Sequence, residues 1–150
     1  MLRILGFIVA VSVVGCDGNT LREPEVVPAT VTVTINKQPL PNAQVTFTPI
    51  DKKYGPNAVA NGVTDDNGVA KLTCAGQPGA CIGSNLITIA EGPMPDDTRS
   101  DDPKAQLRAT QFLAKLKNRP IPPRYANLVE SRLELEVKQG EAEYKIELQR

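Results

Sequence analysis

The sequence predicts an all-β fold, a seven-stranded antiparallel Greek-key β-sandwich carrying one inserted α-helix. Three observations lead there. Val31, Val33 and Ile35 alternate with threonines, Ala43, Val45 and Phe47 alternate with polar residues, and this two-residue period recurs to the C-terminus. Thirteen prolines and eleven glycines suit short strands joined by turns better than a helical bundle. At 150 residues, with 4% aromatics and no Trp, the chain has room for one domain with a core of Val, Ile, Leu and Ala.

Each element follows from its residues. After the strand ending at Ile35, Asn36-Lys37-Gln38-Pro39 turns the chain, and Pro49 ends the next strand. Val59 to Thr64 reads as a third, weaker strand. Thr64-Asp65-Asp66-Asn67-Gly68 is a turn whose Asn-Gly pair accepts positive φ. Its acids invite a calcium reading, but the spaced acids and distal Glu of a calcium loop do not follow. Ala70, Leu72 and Cys74 share one face of the fourth strand, and Leu86–Ala90 is the fifth. The C-terminus predicts a hairpin: Leu133, Leu135 and Val137, a Gln139-Gly140 turn, then Tyr144, Ile146 and Leu148.

The first 15 residues read as a signal peptide. Arg3 supplies an early positive charge and Ile4–Val14 an apolar run, which as a helix rises about 16 Å, too short for a bilayer core of about 30 Å. The run ends in Val13-Val14-Gly15-Cys16, which resembles a bacterial lipobox. The resemblance implies diacylglyceryl transfer to the Cys16 thiol, cleavage before it, and a further acyl chain on the freed amine. Several acyl chains anchor stably where one binds marginally. An ordinary secretory signal followed by a free or disulfide-bonded Cys16 is the alternative. Asp17 directly after it resembles an inner-membrane retention signal of some bacteria, though sorting codes differ between lineages. Residues 16–28, with charges, two prolines and no period, are expected to be a lipidated tether, and residues 29–150 the domain.

Export changes the reading of Cys74 and Cys81. They flank Ala75-Gly76-Gln77-Pro78-Gly79-Ala80, which joins consecutive expected strands. If those ends lie close, a disulfide is within reach; two buried thiols acting as small apolar residues are the alternative.

Between residues 91 and 123 the composition shifts. Asp102-Pro103 reads as an N-cap followed by proline at the first helical position. Ala105, Ala109, Phe112, Leu113 and Leu116 then share one helical face, predicting a helix over about Pro103–Lys117. It is either an amphipathic decoration packed on the sandwich or a partner-binding element.

The segments VTVTINKQPLPNAQVTFTP, GVTDDNGVAKL and GACIGSNLITI resemble the carboxypeptidase regulatory-like, transthyretin-like domain of small bacterial lipoproteins. Gln38-Pro39-Leu40, Ala43, Val45, Phe47 and Pro49 match the family's first segment. Thr64, Asp65, Gly68 and Leu72 match the second, and Gly83, Ile87 and Ile89 the third. Ala70 and Asn85 stand where aromatics are expected. The resemblance spans roughly residues 31–148 and implies a transthyretin-like or immunoglobulin-like sandwich. These motifs mark turns and core positions, so function follows only by analogy.

The expected function is therefore a membrane-anchored cell-envelope lipoprotein, a non-enzymatic binding or structural module on the extracytoplasmic side. Its expected partners are the membrane, through lipid on Cys16, and an envelope protein or polysaccharide. A carbohydrate-binding module is a rival, although few aromatics remain for stacking sugars: Tyr54, Tyr125, Tyr144, Phe47 and Phe112, with Phe47 and Tyr144 assigned to the core. An enzyme is disfavoured by the absence of histidine, which removes the usual general base and metal ligand. No cofactor or metal is expected. After cleavage 16 basic residues face 17 acids, and nothing predicts attraction to nucleic acid.

Overall fold

The computed structural model describes residues 22–99 and 101–150. Its strands are β1 (Val26–Val27), β2 (Thr30–Ile35), β3 (Gln38–Pro39), β4 (Ala43–Pro49), β5 (Ala60–Val63) and β6 (Val69–Lys71). They continue as β7 (Thr73–Cys74), β8 (Gln77–Pro78), β9 (Ala80–Cys81), β10 (Gly83–Glu91), β11 (Leu133–Val137) and β12 (Glu143–Leu148), with one helix, α1 (Pro103–Lys115). The chain is an all-β domain of extensive antiparallel sheet.

One sheet runs β11-β10-β4-β5-β7-β8, with every neighbour antiparallel. In the other, β2 has β12 along one side, and β3 and β6 end to end along the other. The alternation decides what lies between them. Val31, Val33 and Ile35 of β2 and Tyr144, Ile146 and Leu148 of β12 share one buried cluster with Val45 and Phe47 of β4 and Ile87 and Ile89 of β10. Threonines, glutamates and lysines take the intervening, more exposed positions.

Five expectations about the strands are corrected, the first being their number: twelve strands form among the described residues where seven were expected. The C-terminal hairpin does not form: β11 pairs with β10 in the large sheet, and β12 pairs with β2 in the small one. Each strand has one apolar face, and both faces reach the same core by closing on it from opposite sides. The Tyr144 hydroxyl holds the crossing, accepting the Lys138 N–H at 3.1 Å and donating to the Glu141 carbonyl at 2.8 Å. The sheets are also not wholly antiparallel, because β12 runs parallel to β2.

The expected strand from Ala70 to Cys74 is two strands. β6 belongs to the small sheet and β7 to the large one. Ala70, Leu72 and Cys74 are all buried, so the face is as expected while the chain changes sheets at Leu72, whose N–H donates to the Ala29 carbonyl. Lastly, Val26 and Val27 are not tether but the strand β1, paired with Cys81 and Ala80.

The helix starts where Asp102-Pro103 predicts, with the Asp102 carboxylate accepting the Lys104 N–H at 3.3 Å. Ala105 is buried and Ala109, Phe112 and Leu116 half-buried, but Leu113 is 50% exposed and does not belong to the packed face.

Candidate functional site

Cys16, the expected lipidation site, lies outside the described residues. The end of the domain nearest to it in sequence is described. The Arg22 N–H donates to the Lys53 carbonyl at 2.9 Å, and the Ile82 N–H to the Glu25 carbonyl at 3.0 Å. β1 then lies along β9, in the register Val26 to Cys81 and Val27 to Ala80. The approach is close. Gly79 has φ +129°, and a Cβ there would overlap the Val27 carbonyl, so only glycine fits.

This ladder leads directly to the cysteine pair. Ala75 and Gly76 both take positive φ and form the two-residue turn between β7 and β8. The chain then returns through Gly79 and places Cys81 of β9 beside Cys74 of β7. Both side chains are fully buried free thiols, with their sulfurs 3.9 Å apart. The 3₁₀ turn Pro56–Ala58 covers them: Cys81 Sγ donates to the Ala58 carbonyl at 3.4 Å, and Cys74 Sγ points to the Asn57 carbonyl at 3.9 Å. Burial, and then the neighbouring Cys74, push the Cys81 thiol up to about 12. The Cys81 sulfur is not a ready nucleophile in this setting.

The buried amide of Asn85 braces the same loop, donating from Nδ2 to the carbonyls of Cys81 at 3.1 Å and Gly83 at 2.7 Å. Its position on the inward face of β10 signals a polar group in the core, but the sequence does not reveal its partners.

Next to this region, Asp51, Lys53 and Tyr54 form a surface cluster. Lys53 Nζ sits 2.6 Å from the Asp51 carboxylate and 4.7 Å from the centre of the Tyr54 ring. Hydrogen bonds from Lys53 hold the Asp51 carboxyl below its ordinary range, and Asp51 in turn raises the lysine.

At the opposite end of β4, a cleft of about 400 Å³ separates the C-terminal turn of α1 from the β-turns. Pro41, Asp66, Phe112, Lys115, Leu116 and Lys117 line it. Just below, Asn118 Nδ2 donates to the Pro39 carbonyl at 2.7 Å. Arg119, 15% exposed, meets the Glu91 carboxylate at 2.6 Å and donates to the carbonyls of Pro41 and Asn42. This clamp returns the insertion to the sandwich; the sequence marks Arg119 only as one of the basic residues that close the insertion.

The acidic turn is self-contained. One Asp65 carboxylate oxygen accepts the N–H groups of Asn67 at 2.9 Å and Val69 at 3.0 Å. Among the described residues no three metal-ligating side chains converge.

Among the described residues few aromatic rings offer a sugar-stacking surface. Phe47 and Tyr144 are buried, as expected. Tyr125 is buried too, its hydroxyl bonded to Gln149 and approached by Arg124 at 3.2 Å. Burial raises the Tyr125 hydroxyl, but Arg124 and the Gln149 backbone outweigh it and hold it below its ordinary value. Tyr54 and Phe112 are half-buried and line separate clefts near opposite ends of β4. No described helix is long and apolar enough to cross a membrane.

Comparison with known proteins finds no matching family model, no matching curated protein and no matching solved structure.

Proposed function

We propose that the chain is a cell-envelope lipoprotein, anchored through lipid on Cys16, whose sandwich acts as a non-enzymatic binding or structural module. The observation that carries this reading is the order of the N-terminal residues. A charged start and an apolar run too short to span a bilayer end at Gly15-Cys16, and a folded β domain follows. Five residues lie between Cys16 and Arg22, so six Cα–Cα steps give a reach of about 20 Å when extended, and the β1 end of the domain rides close to the membrane.

The domain is a Greek-key sandwich of the carboxypeptidase regulatory-like, transthyretin-like kind. In support, the matching residues do the work their pattern implies. Ala43, Val45, Phe47, Ile87 and Ile89 are core, while Thr64, Asp65 and Gly68 build a turn.

The test is expression of the full chain with its own leader, beside Cys16→Ser. The unsubstituted chain partitions with membranes, and its N-terminal peptide begins at Cys16 with acyl mass added. Cys16→Ser yields an uncleaved or soluble product. Equal processing and equal membrane partitioning of the two would overturn the reading.

A further inference from the structure

We propose that Cys74 and Cys81 are joined by a disulfide in the exported chain, and that this bond clasps the anchor-side strand β1 to the large sheet. The inference rests on the export reading above, because an oxidising compartment is what makes the bond persist.

The geometry is already close. With the sulfurs 3.9 Å apart, side-chain rotation has to close roughly 2 Å to reach bonding distance. The two cysteines belong to different ladders: Cys74 pairs in β7 with Ala60 of the large sheet, and Cys81 pairs in β9 with Val26 of β1. Among the described residues β9 is the only strand that β1 pairs with. A bond between the sulfurs makes that partner covalently continuous with the large sheet, at the place where the tether enters.

Access sets the order of events. Both thiols have no exposed surface, and the turn Pro56–Ala58 lies over them. An oxidant of protein size therefore reaches them only before β1 and that turn have closed. The chemistry is thiol–disulfide exchange with an envelope protein disulfide. The thiolate of one cysteine attacks the oxidant's disulfide and expels one of its sulfurs. The second cysteine then displaces the oxidant from the mixed disulfide. The chain's two thiols lose two protons and two electrons, and the oxidant leaves as a dithiol.

The sequence makes the assay direct. No Lys or Arg lies between Lys71 and Arg99, so one tryptic peptide, residues 72–99, holds both cysteines. The full chain is exported with its own leader, quenched in acid, denatured, alkylated without reductant, and digested. The expected peptide carries no alkyl group and is two hydrogens lighter than the dithiol form; prior reduction adds two alkyl groups. Lipid on Cys16 is read separately from the N-terminal peptide, so failure of the anchor and failure of the bond are distinct results. Quantitative double alkylation of membrane-anchored material overturns the proposal, and so does a metal ion retained by the two thiols in native mass spectrometry.

The clasp is tested on the same protein by hydrogen exchange. Reduction should lower the thermal midpoint by about 5–10 °C, the entropy of an eight-residue loop in a domain of this size. It should also speed exchange of the Ile82 amide, which bonds to Glu25, by a larger factor than the β4–β10 ladder, which follows the global loss of stability alone. Equal loss of protection in both places, or none in either, overturns the clasp.

Discussion

Thr64→Val isolates a polar knot inside the apolar domain. The substitution keeps the β-branched shape and removes only the hydroxyl. Thr64 Oγ1 donates to the Leu40 carbonyl at 2.6 Å and accepts the Ala43 N–H at 2.8 Å, in a site 4% exposed. The backbone of Thr64 bonds the same loop from the other side, its N–H to the Ala43 carbonyl and its carbonyl to the Asn42 N–H. Valine strips one donor and one acceptor of their partner where little water reaches. Each orphaned buried group costs about 1–3 kcal/mol, so the pair costs about 2–6 kcal/mol. Thr64→Ser is the control: it keeps both hydrogen bonds and loses one methyl, about 1 kcal/mol. At about 3–5 °C per kcal/mol for a domain of this size, valine lowers the thermal midpoint by about 6–30 °C and serine by about 5 °C or less. Calorimetry and urea unfolding of the two variants measure the difference. A valine variant as stable as the serine variant would refute the assignment of the hydroxyl as the clasp between the turns.

The other predictions follow from single contacts. Phe47→Ala empties the largest wholly buried side chain and should cost about 3–5 kcal/mol in urea unfolding. Arg119→Ala removes donors from the Pro41 and Asn42 carbonyls; with Glu91 half-exposed and screened, the loss should be about 2–3 kcal/mol, and Arg119→Lys should restore only part of it. The fold favours the neutral Cys81 thiol, so this contribution to stability is complete below the ordinary thiol value. It is lost as pH rises from about 9 toward about 12, and a pH series on reduced protein should show a decline that oxidised protein lacks. Replacing residues 97–116 with a Gly/Ser linker, keeping Asn118 and Arg119, should leave a cooperatively unfolding β domain about 2–4 kcal/mol less stable, because Ala105 is buried and Ala109, Phe112 and Leu116 are half-buried.

The core was legible because a period of two needs no partner to be read. Every alternating residue assigned inward in β2, β4 and β12 is buried, and Ile87 and Ile89 of β10 agree. Leu133 and Leu135 are covered only in part, because β11 is an edge strand with a neighbour on one side alone. The polar fastenings were not legible. Thr64, Asn85 and Arg119 look like ordinary turn, strand and loop residues, and only the tertiary approach of Leu40, Cys81 and Asn42 gives them their roles.

Alternation specifies a face and leaves the choice of sheet open, and the corrections to β6, β7, β11 and β12 fall on that gap. Five residues connect β11 to β12, enough for a hairpin loop and equally enough to cross between sheets. As a hairpin in the large sheet, β12 would leave the whole length of β2 unpaired on the side opposite β3 and β6. By crossing, it covers six residues of β2, from Thr30 to Ile35. The crossing also carries Tyr144 to where its hydroxyl ties Lys138 and Glu141. The chain changes sheets at Leu72 for a similar reason: β6 completes the free end of β2, while Cys74, two residues on, completes the edge beside β5. Local sequence decides which side chains go inward. The unpaired backbone of the neighbouring strand decides which sheet they join.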